Sequence, residues 1–404
     1  MPKKRALMKT NLLESRAVCL LLISTLTVMS NATIAPALPS LANEFSGTPS
    51  ADFWVKMLLP IPALFVVIFA PILGWTADKF GRRNQIIIAT TVFAIAGAAG
   101  AQLQDLEAII ISRAILGICV AGLMAAVTAL ITDYYSGPKR SQFMGLQQAF
   151  SNIGGILFIV TAGYLAGISA RLPFYIYAIA ILLLPLIFLS IRDSKQTNQP
   201  SDNPQDDTNT SWTLPLIGCS ILVFCHLIVF YVLPTQIPFF MADIGITDPS
   251  KSGLAIGMGT LIAAITGVFF GKLVAKIQSY GVALIGFIAM SIGMLVLSQA
   301  TSFSLVILGC GLMGACMGLV MPNFMVKGME LVPSHKRGLA SGVLTSSIFI
   351  GQFVSPFVTS ALIAKLGYSD FYLLAGAFTL VLAIAGAATL KKQSTLTTNV
   401  NKGN

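Results

Sequence analysis

Twelve apolar runs, each about as long as a bilayer is thick when wound as a helix, constrain this chain more than any other feature of its sequence. They fall near residues 17–39, 53–75, 85–104, 107–131, 142–167, 172–191, 214–238, 253–276, 281–299, 303–327, 338–364 and 369–390. A spanning helix needs about 20 such residues, so a chain of 404 residues is filled by these runs, short loops and small tails. The expected class is an all-α integral membrane protein with twelve transmembrane helices. Composition agrees: 10% of residues are charged and 55% hydrophobic, against about 25% charged in soluble domains, and mean hydropathy is +0.83. MPKKRALMKTNLLESR followed by AVCLLLISTLTVMS has the basic-then-apolar order of a signal peptide. Its apolar run is longer than the usual core of such a peptide and more spans follow, which favours an uncleaved first helix.

The net charge of +10 does not mark a nucleic-acid binder, which needs a basic face with accessible stacking aromatics; here the bases lie between apolar runs. Short loops rich in Lys and Arg mark the cytoplasmic side. With the N-terminus inside, twenty bases fall on inner segments, including Lys79, Arg82, Arg83, Lys139, Arg140, Lys336 and Arg337. Four fall outside (Lys56, Arg171, Lys251 and Lys365), and Arg113 lies within the fourth run. This asymmetry implies a multi-pass inner-membrane protein with both termini cytoplasmic. Six cysteines lie inside the runs without metal-site spacing, so they read as packing residues and no metal is expected.

RDSKQTNQPSDNPQDDTNTSW, polar and without periodicity, reads as a flexible cytoplasmic linker. It divides the chain into a six-helix bundle over 1–191, a linker over 192–213, a second bundle over 214–391 and a disordered tail over 392–404. The halves repeat at an offset of 197 residues: Gly74 matches Gly271, Lys79 matches Lys276, Gly117 matches Gly314, Cys119 matches Cys316, Arg140 matches Arg337, Gly145 matches Gly342, and Phe174-Tyr175 matches Phe371-Tyr372. Charges differ, with Asp78 opposite Ala275 and Arg113 opposite Cys310. Two like-oriented halves are a transporter architecture, with the substrate near the midplane where they meet.

Residues 74–83, GWTADKFGRR, resemble the loop 2–3 signature of the major facilitator superfamily, G-x-L-A-D-R-x-G-R-R, with Thr76 in the Leu position. IIISRAILGICVAG, with Arg113 and Gly117, resembles that family's helix-four motif. The likeness extends over nearly the whole chain and is greatest to the twelve-helix drug or metabolite:proton antiporter branch, whose members are efflux proteins. NIGGILFIVTAGYLAG stands where that branch has G-x-x-x-G-P-x-x-G-G; Gly154, Gly155, Gly163 and Gly167 are present, but the Pro is not.

In the signature, Gly74 and Gly81 allow close backbone approach, and Gly81 can turn the chain at positive φ. Asp78 can face the positive end of a helix dipole. The resemblance implies a conformational latch in which Asp78 meets the start of helix eleven near Gly338 and Arg82 pairs with Asp133; Arg83 belongs to the same loop. The alternative is a loop that sets topology alone.

Arg113, buried in a span, needs a partner or water. It either snorkels to Asp105 and Glu107 or lies on a cavity wall. No Asp or Glu lies mid-span, so the candidates for carrying a coupling proton are Asp52, one turn from Lys56, and His226 in the seventh run; a solvated cap and a satisfied buried imidazole are the alternatives. Helical spacing puts Ser24, Thr27 and Asn31 on one face, Gln148 and Asn152 on another, and Ser341, Thr345 and Gln352 on a third, while Tyr231 and Gln236 continue from His226. Each is either pathway lining or interhelical glue. The expected cavity is weakly polar, almost uncharged and walled by aromatic and methionine residues. It suits neutral or amphipathic organic solutes, since nothing resembles an oxygen cage for a hard cation. GVLTSS and GCGLMGACMG lack the lysine of a phosphate loop, so ATP is not the expected energy source.

The expected function is proton-driven efflux of small organic molecules by alternating access, with no cofactor beyond the coupling proton, from a monomer in the bilayer. An importer or facilitator of sugars or organic acids is the alternative within the fold. An integral membrane enzyme would need clustered His, Asp or Cys at one membrane face, and the two histidines lie far apart.

Overall fold

The computed structural model describes the backbone of residues 2–135, 137–192, 212–333 and 336–402, with side chains at 15–30, 33–135, 139–140, 142–192, 212–333 and 336–391. Most of the expected linker, the side chain of Asn31 and the second histidine, His335, lie outside the described residues. Among those described, the chain is helical and has no strands.

The chain divides into two compact units, residues 1–197 with 248–253, and residues 198–247 with 254–404. Unit 1 contains α1 (Pro2–Ala32), α2 (Leu38–Glu44), α3 (Ala51–Met57), α4 (Ile61–Phe80), α5 (Arg82–Ala99), α6 (Leu106–Tyr134), α7 (Gly137–Ile168), a 3-10 helix over Leu172–Leu183 and α8 (Leu184–Ser190). Prolines punctuate it. Pro36, Pro39 and Pro62 each sit in the first turn of a new helix, where a missing N–H costs nothing. The second apolar run is therefore two elements: α3 is separate, and the long helix starts at Ile61.

α9 (Thr213–Phe230), α10 (Val232–Asp243), α11 (Pro249–Ser298), α12 (Phe303–Glu330) and α13 (Arg337–Lys402) follow. At 1.5 Å per residue, the 50 residues of α11 would reach about 75 Å, more than twice the hydrocarbon core of about 30 Å. Its backbone leaves helical geometry at Gln278 (φ 61°, ψ 168°), and α13 does so at Gly367 (φ 78°, ψ 172°). The helical path of α13 continues to Lys402, into the stretch expected to be disordered. Nine helices among the described residues are long and apolar enough to span a bilayer, α11 and α13 each counted once.

The internal repeat is visible in backbone geometry. Gly81 breaks the path between α4 and α5 at φ 92°, and Gln278, 197 positions later, breaks α11 at φ 61° although it is not glycine. The helix contacts repeat as well. A Cβ on Gly117 would lie 2.5 Å from the Pro62 carbonyl oxygen, and one on Gly314 would lie 2.9 Å from the Gly259 Cα; Pro62 and Gly259 are again 197 apart. Such approach is what small residues allow between helices in lipid. Large apolar side chains such as Leu182, Leu189, Val268 and Ile384 remain exposed on both units, a surface that hydrocarbon solvates and water does not.

Candidate functional site

The GWTADKFGRR hairpin is built around Arg82. The guanidinium pairs with Asp133 at the end of α6, donates to Asp78 Oδ1 at 3.2 Å and donates to the Ala129 carbonyl at 3.2 Å. Partial burial works against its charge, but the hydrogen bonds and attraction of Asp133 and Asp78 outweigh it and hold Arg82 above its ordinary value. Arg83 donates to the Phe188 carbonyl at 3.1 Å, joining α5 to α8. Gly81 supplies the positive φ the turn requires. Gly74 differs from expectation: the space beside its Cα is open, with nothing within 4 Å of an added methyl. Thr76, in the family's Leu position, donates to Gln85 Oε1 at 2.9 Å, and Gln85 Nε2 donates to the Gly122 carbonyl at 3.0 Å. Sequence reasoning missed Gln85, whose partner is 37 residues away.

Unit 2 holds a decayed copy of this arrangement. Glu330 occupies the position 197 beyond Asp133, but Ser279 stands where Arg82 would be. Glu330 pairs instead with Lys327 of its own helix at 2.6 Å.

A cavity of about 240 Å³ lies between α1, α6 and α7 of unit 1. Ser24 and Thr27, Met124 and Thr128, and Gln147 and Gln148 are among its walls, and no charged residue among those described lines it. Gln147 Nε2 donates to Ser24 Oγ at 2.9 Å, Ser151 Oγ to the Ser24 carbonyl at 3.3 Å, and Gln148 Nε2 to Asn152 Oδ1 at 3.1 Å. These are neutral amides and hydroxyls beside methionine thioethers, a surface that orients an organic solute without opposing charge. Gln147 was missed, although its four-residue spacing to Ser151 matches that of Gln148 to Asn152.

Arg113 is fully buried, but neither expected setting holds it. It forms no ion pair with Asp105 or Glu107 among the described residues, and it does not line the cavity. Its Nη2 donates to the Gly97 carbonyl at 2.7 Å, and the guanidinium lies 4.7 Å from the Tyr177 ring centroid and 5.1 Å from that of Phe174. Gly97 admits Tyr177 where any larger residue would collide, so α5, α6 and the 3-10 helix close around the cation. Nε and Nη1 have no hydrogen-bond partner among the described residues.

Asp52 stands exposed on the short α3, not at the end of a spanning helix, and Lys56 of the same helix is buried. A stronger contact is made by Arg171, which grips Glu44 with bonds of 2.7 to 3.1 Å and donates to the Gly100 and Leu103 carbonyls at 2.8 Å.

In unit 2, His226 is fully buried. Its Nδ1 lies 3.9 Å from Cys316 Sγ, and the rings of Phe287 and Phe230 flank it at 5.6 and 5.9 Å; Nε2 has no partner among the described residues. Gln236, also buried, donates to Thr359 Oγ1 at 3.1 Å and Ser360 Oγ at 3.0 Å, tying α10 to α13. Tyr231 and Gln352 are buried too. The structure thus gathers Ser24, Thr27 and Gln148 at a cavity, with Asn152 bonded to Gln148, leaves Asp52 exposed, and buries Arg113, His226, Tyr231, Gln236 and Gln352 in helix packing.

Residues 20–356, and again 219–403, match the model of the Major Facilitator Superfamily. Tetracycline resistance protein, class D, of Salmonella ordonez is 30% identical over 300 residues, covering 71% of this chain and 74% of that protein. The class H protein of Pasteurella multocida is 26% identical over 84% of this chain and 87% of its own length. Quinolone resistance protein NorA of Staphylococcus aureus is 24% identical over 81% and 85%. Among solved structures, the inward-open xylose transporter XylE from E. coli superposes with a TM-score of 0.75 at 17% identity, covering 93% of this chain and 95% of that one.

Proposed function

The chain belongs to the major facilitator superfamily, and from that premise we infer that it exports small organic molecules by proton-driven alternating access. The observation that carries this reading is the uncharged cavity between α1, α6 and α7, whose amides, hydroxyls and methionines suit a neutral or amphipathic solute. The relatives, tetracycline and quinolone resistance proteins, support efflux of such solutes. With the breaks at Gln278 and Gly367 counted as loops and α5 as a span, the chain makes twelve crossings. The base asymmetry supports inner-membrane placement with both termini in the cytoplasm. The protein works as a monomer and takes no nucleic acid.

The loop at Gly81 acts as a latch, with Asp78, Arg82 and Asp133 stabilising one state of the transport cycle; a ligand or latch shifts such an equilibrium only by its differential free energy. Import or facilitated passage of sugars or organic acids is the second reading, favoured by the absence of Pro from residues 152–167. Uptake of a mixed panel of dyes and metabolites into inverted vesicles under an imposed pH gradient decides between them. Efflux predicts accumulation that stops when the gradient is collapsed. Gln147→Ala, which removes an amide from the cavity wall, is expected to raise KM about tenfold or less, the worth of one hydrogen bond to the solute. Transport indifferent to the gradient and to Gln147 would remove the basis of this reading.

A further inference from the structure

A second hollow, of about 340 Å³, opens on the side of unit 1 between the end of α4, the start of α5 and the middle of α6. Leu73 and Phe80, Ile88 and Val92, and Ile115 and Ile118 form most of its wall, and Phe80 and Ile88 are each 63% exposed in the whole chain. Most of its polar groups are already engaged, Thr76 with Gln85, Gln85 with the Gly122 carbonyl, and Asn84 Nδ2 with the Phe80 carbonyl at 3.4 Å. An occupant gains little by hydrogen bonding there, so it must be apolar along its length. From Asn84 to Val92 the groove follows α5 for about 12 Å, close to the roughly 15 Å of hydrocarbon in one leaflet.

Charge lies at one end. The Lys79 ammonium is 4.8 Å from the Trp75 ring and 5.4 Å from the ring of Phe80, which is itself a groove wall. Among the described residues no carboxylate pairs with Lys79, whereas Arg82 is committed to Asp133 and Asp78. Exposed Trp beside Lys is the pairing that settles at a headgroup boundary, and a base there draws anionic lipid.

We propose that the groove binds an anionic phospholipid of the cytoplasmic leaflet, one acyl chain lying between α4 and α5 over α6 and the phosphate meeting Lys79. The proposal rests on the cytoplasmic placement of the Gly81 loop given above.

The chain has three tryptophans, so Trp54→Phe with Trp212→Phe leaves Trp75 as a local reporter. This protein is reconstituted in phosphatidylcholine vesicles with increasing fractions of brominated phosphatidylglycerol or brominated phosphatidylcholine. Quenching of Trp75 is expected to half-saturate at an about fivefold lower fraction of phosphatidylglycerol, the worth of one base near an anionic surface. Lys79→Gln erases that preference, and Val92→Phe, which fills the groove, weakens quenching by both lipids. Equal quenching by the two lipids overturns the proposal. So does displacement by soluble glycerophosphoglycerol, which marks a headgroup site without a chain, or displacement by a neutral apolar solute that ignores Lys79→Gln. Labelling of Lys79→Cys by an impermeant reagent separates the two readings: reaction from outside overturns the topology, while an inner position without headgroup preference overturns the lipid site alone.

Discussion

Gly117→Ala and Gly74→Ala test whether packing at the repeated glycines or freedom at the signature glycine matters to this protein. Both residues concern the α4–α6 pair. A methyl on Gly117 would lie 2.5 Å from the Pro62 carbonyl oxygen and 2.7 Å from the Pro62 Cα, both backbone atoms that cannot rotate away. Ordinary C···O approach is about 3.3 to 3.6 Å, so the two helices must part by about 1 Å. Overpacking of this kind costs about 1–3 kcal/mol, which for a unit of about 200 residues lowers Tm by about 5 °C. Gly74 meets nothing within 4 Å, so alanine there leaves Tm unchanged or raises it through helix propensity, by about 1 kcal/mol at most. The assay is thermal unfolding of purified protein in detergent, read together with vesicle transport. Equal Tm for wild type and Gly117→Ala would refute the packing argument, as would a loss of stability in Gly74→Ala. Unchanged Tm with slowed transport in Gly74→Ala would place that glycine's closest contact in another state of the cycle.

Asp78→Asn is expected to insert normally and slow turnover about two- to fivefold, since a half-exposed pair contributes up to about 1 kcal/mol; initial transport rates at matched membrane abundance check this, and wild-type rates would leave the loop a topology signal. Arg113→Met removes a buried charge that no carboxylate among the described residues offsets, so Tm should stay level or rise by the equivalent of up to about 2 kcal/mol; a large loss would mean that the Gly97 bond and the two rings more than offset the desolvation of the cation. His226→Phe should keep both transport and its pH profile, because Cys316 and phenylalanine rings surround the imidazole; a flattened pH profile would return His226 to proton coupling.

Apolar runs of bilayer length and the 197-residue offset make the class and the duplicated architecture legible in the sequence alone. The turn at Gly81 was legible too, because only glycine enters that φ region freely. Gln278 shows the limit of such reasoning: the repeat kept the turn and lost the glycine. Which polar residues line a cavity was read less well. Helical spacing groups Gln148 with Asn152 and Gln147 with Ser151 equally well, and only packing against α1 makes Gln147 the partner of Ser24. Arg113, His226 and Gln236 were recognisable as intramembrane polar groups, but their partners are 16, 90 and 123 residues away. In water, the apolar stripe of a helix marks its inner face. In a bilayer the lipid is as apolar as the core, so the pattern leaves each helix's rotation open, and tertiary packing alone decides whether a polar side chain meets a neighbour, a cavity or the lipid.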